Sequence, residues 1–152
     1  ASRLTTPPRA SPVLTDWPCS EEEALAVAAE TTPPEPQPGF GSIGGAVYSY
    51  GIGEAVPGTQ FYLTAAEETD GEFAPPAVNF GPKLENGDIV GMTSPLGQIQ
   101  LDNVPPGNYY LLLWTVYNWL SIYESEGASE PILITIEEGQ KLDLGLVYTN
   151  WP

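Results

Sequence analysis

Thr93-Ser-Pro-Leu-Gly-Gln-Ile-Gln-Leu-Asp-Asn-Val-Pro-Pro-Gly-Asn-Tyr-Tyr-Leu-Leu-Leu-Trp114 is the stretch whose reading decides the fold. Turn residues Pro95 to Gly97 precede a short strand carrying Ile99 and Leu101. Pro105-Pro106-Gly107 then turns the chain into a long strand that starts at Tyr109. Proline presets φ for a turn and has no amide to give a central strand, while Gly107 is free to take φ > 0. The pattern predicts that the two strands pair as an antiparallel hairpin. In the second strand Tyr109, Leu111 and Leu113 share one face and Tyr110, Leu112 and Trp114 the other, because side chains alternate with period two. Both faces are apolar. A sandwich strand ordinarily turns a polar face to water, so a cover is expected: the helix predicted after Ser20, the N-terminal arm, or another subunit.

Upstream, Ile43 to Tyr50 and Gln60 to Ala65 read as two further strands joined through Val56-Pro57-Gly58, and downstream Pro131 to Glu137 alternates Ile132, Ile134 and Ile136. Leu142 to Tyr148 follows a Glu138-Gly139 turn and closes the sheet. The pattern Thr-x-x-x-Gly-x-Ile-x-Leu-x-x-Val-Pro-Pro-Gly-x-Tyr, with Gly45-Ala46-Val47, Val56-Pro57-Gly58, Phe61 and Leu63, resembles carboxypeptidase-regulatory-like domains, which are prealbumin-like (transthyretin-like) β-sandwiches. The resemblance covers roughly residues 42–65 and 93–148. It implies an all-β, seven-stranded Greek-key sandwich, and it puts Tyr109, Leu111 and Leu113 at the core. It says almost nothing about function, because such domains serve as accessory, binding and structural modules alike.

Residues 1–40 differ in composition. Pro7-Pro8, Pro12, Pro18, Pro33-Pro34, Pro36 and Pro38 punctuate Thr, Ser and Glu, the make-up of an extended arm. Leu4, Val13, Leu14 and Trp17 are apolar anchors that a plain spacer does not need. Ser20-Glu21-Glu22-Glu23 is a capping box that opens one short helix near 20–30, with acidic residues in the first turn where the helix dipole favours them. The sandwich occupies 41–152 and is interrupted by an acidic insertion at 66–92, with Glu67, Glu68, Asp70, Glu72, Glu85 and Asp88. Clustered carboxylates on glycine-containing loops suit Ca²⁺. However, Glu-Glu-Thr-Asp-Gly-Glu lacks the alternating spacing of an EF-hand loop, so a solvated loop is the simpler reading and no metal ligand is assigned.

Seventeen prolines and sixteen glycines in 152 residues disfavour a helical protein. Four basic against twenty acidic residues give a net charge of −16, which repels phosphate backbones and anionic membranes, so nucleic acid is not an expected partner. No apolar run of about 18 residues exists to span a bilayer. A start at Ala1 is what removal of a secretory signal leaves, and the expected location is extracellular or at the cell surface. Histidine is absent, Cys19 has no partner for a catalytic pair or a zinc site, and no nucleophile elbow lies near Lys83 or Lys141. No enzyme activity and no cofactor are therefore expected. Related pilin domains lock their strands with a lysine–asparagine isopeptide. The stretch Val47 to Tyr50 holds no lysine, so Asn150 reads as an ordinary chain-end residue.

Aromatic density through Trp114, Tyr117, Trp119 and Tyr123 exceeds what one core strand needs. These observations point to a structural subunit of an extracellular filament or cell-surface assembly. Its partners would be other copies of itself, and its interface candidates are Leu4, Val13, Leu14, Trp17, Leu112, Trp114 and Trp119. The competing reading is a secreted carbohydrate-binding or accessory module that uses the aromatic residues as a platform.

Overall fold

The computed structural model describes residues 20–76, 81–83, 85, 87–115 and 118–150. The anchors Leu4, Val13, Leu14 and Trp17, with Cys19, Tyr117 and Trp151, lie outside the described residues. In chain order the elements are α1 (Glu21–Glu30), β1 (Gly41–Ser49), β2 (Glu54–Ala55), β3 (Gln60–Ala65), β4 (Glu67–Thr69), β5 (Glu72–Ala74), β6 (Ile89–Met92), β7 (Gln98–Val104), β8 (Gly107–Trp114), β9 (Trp119–Ser121), β10 (Ile134–Ile136) and β11 (Lys141–Thr149). Among the described residues the protein is all-β apart from this one helix.

Nine of the strands form two packed sheets, and β4 and β5 form a separate two-stranded one. In the first, β1 pairs in parallel with β11 on one side and antiparallel with β7 and β2 on the other. The second runs β10-β8-β3-β6, with β9 also paired to β8. Between the sheets lies a core that includes Ile43, Val47, Phe61, Leu63, Ile99, Leu111, Leu113, Ile134 and Val147.

The hairpin expected across Pro105-Pro106 does not form: β7 pairs with β1, and β8 pairs with β3, so the chain changes sheets at the prolines. A two-residue hairpin loop takes type I′ or II′ geometry, which requires φ > 0, and proline is fixed near −65°. The connection becomes an arch instead, held by the Tyr109 hydroxyl donating to the Pro105 carbonyl at 2.8 Å. The sharp turn at Pro95 to Gly97 is present. Ser94 Oγ accepts from the amides of Leu96 and Gln98, and Gly97 takes φ 83.

The stretch 66–92 contains two things. Its first part folds as the β4–β5 hairpin, turned by Asp70 (φ 54) and Gly71 (φ 82), the Asp-Gly pairing that such turns favour. Its last four residues are β6, which pairs with β3 at the edge of the second sheet.

Residues 20–40 lie against their own sandwich. The amide of Glu23 donates to Ser20 Oγ at 3.2 Å, and Ala24, Val27 and Ala28, spaced three and four apart, are buried. Val27 and Ala28 pack on Ala46 of β1, with Leu146 and Leu96 alongside; burying Val27 contributes about 2 kcal/mol. The helix thus covers the first sheet, not the apolar outer face of β8. From Thr31 a strap crosses β1, where a Cβ on Gly44 would lie 2.6 Å from Pro33 N. Gln98 Nε2 donates to Thr31 Oγ1, Gln100 Nε2 donates to the Thr32 carbonyl, and the Gln37 amide donates to the Asp102 carbonyl at 2.9 Å.

A bulge in β11 fits it to both layers. The register with β1 shifts between Gly44 and Gly45, opposite Asp143 and Gly145, and Gly145 takes φ 65 with its amide on Asp143 Oδ1. Leu142 and Leu144 pack on the main core before the bulge; after it, Leu146 packs at the helix and Val147 returns to the core.

Candidate functional site

The feature that the fold leaves unfinished is the outer face of the second sheet. Cross-strand register fixes its members. Tyr62 pairs with Leu112 on one side and Val90 on the other, Gln60 pairs with Met92, and Trp114 pairs with Trp119. Phe61, Leu63, Leu111 and Leu113 belong to the core, so their sequence neighbours point outward. On β6 the inward position next to Phe61 is Gly91, where a Cβ would meet the Phe61 ring at 2.5 Å, so Val90 and Met92 face out.

The outward residues are mostly aromatic and aliphatic across three neighbouring strands and β9, with Gln60 and Thr64 at the two ends of β3. The Trp119 ring packs edge-on against Tyr62 at 4.8 Å and against Trp114 at 5.3 Å, forming a rib across the sheet. T-shaped pairs of this kind contribute about 0.5–1.5 kcal/mol each beyond area burial. Gly81 lies against the Trp119 indole, its missing Cβ position 3.5 Å from the ring. This local cover lies over Tyr62, which is buried, and Leu112 beside it is only 1% exposed. It stops short of the margin, where Trp114 is 43% exposed, Val90 38% and Met92 65%.

Electrostatics follow the same geometry. Burial raises the pKa of the Tyr62 phenol, the Asp88 carboxylate raises it further, and a hydrogen bond with the Gly81 backbone opposes them. Burial likewise raises Tyr110, with Glu130 adding to the effect. Both phenols are therefore neutral at physiological pH, and the face carries no charge of its own on these side chains.

Of the residues singled out from the sequence, the fold brings Trp114 and Trp119 together and places Leu112 beneath the same surface. Tyr123 sits apart, bridging to Tyr148 at the edge of the first sheet. Sequence reasoning missed Tyr62, Val90 and Met92. Their signal was present in the unbroken apolar runs Phe61-Tyr62-Leu63 and Ile89-Val90, which put an apolar residue on both faces of each strand. Among the described residues no three His, Cys, Asp or Glu side chains converge as cation ligands. Glu67, Glu68 and Glu72 are exposed along the β4–β5 hairpin.

No family model matches the chain, and no curated protein matches it. Among solved structures, a Streptococcal ancillary pilin is similar at 16% identity and a TM-score of 0.39, over 76% of this chain and 30% of that one. This chain therefore spans less than a third of the pilin's length. A candidate carbohydrate-binding protein from Pseudomonas aeruginosa is similar at 17% identity and a TM-score of 0.40, over 88% of this chain and 99% of that one. The likeness extends to a β-rich fold and no further.

Proposed function

We propose that this chain is a non-enzymatic structural subunit of an extracellular filament or cell-surface assembly. Neighbouring copies join through the N-terminal arm and the apolar outer face of the second sheet. One observation carries the reading: Trp114 on β8 and Val90 and Met92 on β6 are exposed on one sheet face, on either side of β3, and the buried members of that face, Tyr62 and Leu112, are already apolar. A face of this kind on an antiparallel sheet costs solubility unless a partner covers it. The same proposal takes the sandwich as prealbumin-like. Setting aside β2, β9 and the β4–β5 hairpin, the described strands reduce to β7-β1-β11 and β6-β3-β8-β10, which is the seven that the resemblance implies. Among the described residues no helix is long and apolar enough to cross a membrane.

The carbohydrate reading rests on Trp114, whose exposed ring could stack on a sugar. The inclined packing of Tyr62, Trp119 and Trp114, with ring planes at 86° and 60°, favours it less, because such rings do not present one flat platform. Trp114→Ser separates the two. The variant should lower self-association at least tenfold, measured by sedimentation velocity, while its melting temperature falls by only a few degrees. An unchanged association constant with a collapsed fold would refute the interface. Sugar-dependent quenching of tryptophan fluorescence in a monomeric parent would establish the alternative.

A further inference from the structure

A second surface lies on the opposite edge of the sandwich from β6. A cleft of about 720 Å³ lies between Leu142 to Leu144 of β11 and the segment 124–133 that leads into β10, with Thr135 beside it; β10 and β11 are the outermost strands of the two sheets on that side. Its floor includes Ile132, Leu142 and Leu144, and its rim carries Glu124, Glu130 and Asp143. Among the described residues β10 pairs only with β8, and β11 pairs along its length only with β1. The outer edge of β11 is engaged at Tyr148 by Tyr123, but beside the apolar floor, at Leu142 to Leu144, no described strand pairs with it, and β10 has no second neighbour among the described residues, the arrangement to which an extended segment adds as a strand.

We infer that this cleft receives the N-terminal segment, Arg3 to Trp17, of a second copy of the chain. The inference rests on the assembly proposed above and assigns the arm its seat. Charge complementarity selects the occupant. The chain has four basic residues, of which both arginines, Arg3 and Arg9, lie in the first 19 residues. Lys141 is already engaged with Glu35 at 2.9 Å. Two arginines against one acidic residue, Asp16, make that segment net positive, while the remainder of the chain is strongly negative. Segments of equal sign repel, so the acidic rim favours the arm, which holds two of the four basic residues, over the acidic remainder, where Lys83 is followed closely by Glu85 and Asp88. Leu4, Val13, Leu14 and Trp17 supply apolar side chains for the floor. Reach is sufficient: nineteen extended residues span up to roughly 65 Å, against a radius of gyration of about 14 Å for the folded part.

The test is charge-swap complementation between full-length chains, read by sedimentation velocity. One chain carries Arg3→Glu and Arg9→Glu; the other carries Glu124→Lys and Glu130→Lys, with Asp143 left intact because it holds the Gly145 amide at the bulge. Each variant alone should self-associate at least tenfold more weakly than the parent, and an equimolar mixture should regain parental association. A chain carrying all four substitutions should also regain it, which shows that the substituted cleft still folds. A mixture that stays dissociated while the fourfold chain recovers would overturn the second copy as the source and place the arm in its own cleft. Parental association by the cleft variant would overturn the cleft while leaving the assembly standing. A parent that never self-associates would overturn both.

Discussion

Gly44→Ala is the most direct probe of how the strap is held to the sandwich. The new Cβ would lie 2.6 Å from Pro33 N, 2.8 Å from Pro33 Cα and 2.8 Å from the Thr32 carbonyl carbon, all backbone atoms that no rotamer change can move. The strap must lift. Overpacking of this kind costs roughly 1–3 kcal/mol, and with it go the bonds from Gln98 to Thr31 and from Gln100 to Thr32. For a domain of this size about 2 kcal/mol lowers the melting temperature by roughly 4–8 °C. Thermal denaturation followed by circular dichroism measures the shift. Hydrogen exchange locates it, because the Gln37 amide, bonded to the Asp102 carbonyl, should lose protection while the β3–β8 ladder keeps its own. A variant that melts with the parent and protects Gln37 equally would refute close packing of the strap on β1.

Tyr148 donates to Glu21 Oε2 at 2.6 Å; burial first, then the Glu21 bond and charge, push its pKa up to about 12. A folded pKa above the unfolded 10.0 means that this contribution is whole below about pH 10 and is lost as pH rises through about 12. Tyr148→Phe should therefore show a shallower fall of melting temperature across that window than the parent, and parallel curves would refute the linkage. Removing residues 1–19 should leave the fold intact and abolish assembly, whereas removing 1–40 should also destabilise the sandwich by stripping Val27 and Ala28 from Ala46. Assembly by the shorter deletion would exclude the arm as the coupling element. In a head-to-tail polymer a residue meets a different residue on the next copy, so Cys19 should stay unpaired and reductant should leave the assembly intact. A quantitative disulfide dimer on a non-reducing gel would contradict that geometry.

What could be read from the sequence was local. Ser20 and Glu23 announce the helix start, and the alternation from Tyr109 to Trp114 assigns both faces of β8, because capping and the two-residue period depend on neighbours in the chain. At Pro105-Pro106 the sequence pattern predicts a hairpin where the chain in fact changes sheets, although the φ that proline denies to a two-residue hairpin turn argues against one. Other features depend on distant segments. Nothing near Gly145 announces a bulge that hands Leu146 to the helix, since its register is set by Gly44 and Gly45 about a hundred residues earlier. Likewise, the outward rib needs β9 folded back so that Trp119 meets Trp114 and Tyr62, a contact between three strands that no single periodicity contains.

The parallel pairing of β1 with β11 has a mechanical consequence. The register runs from Ser42 opposite Lys141 to Ser49 opposite Thr149, so the chain enters the ladder at one end and leaves it at the other. Tension applied between Gly41 and Thr149 pulls the two strands past each other along their length, and the rungs share the load instead of opening one at a time. An antiparallel pairing of the same two strands would put both pulling points at one end and peel apart. The topology that closes this sandwich therefore also makes it resist extension along the thread that it is proposed to build.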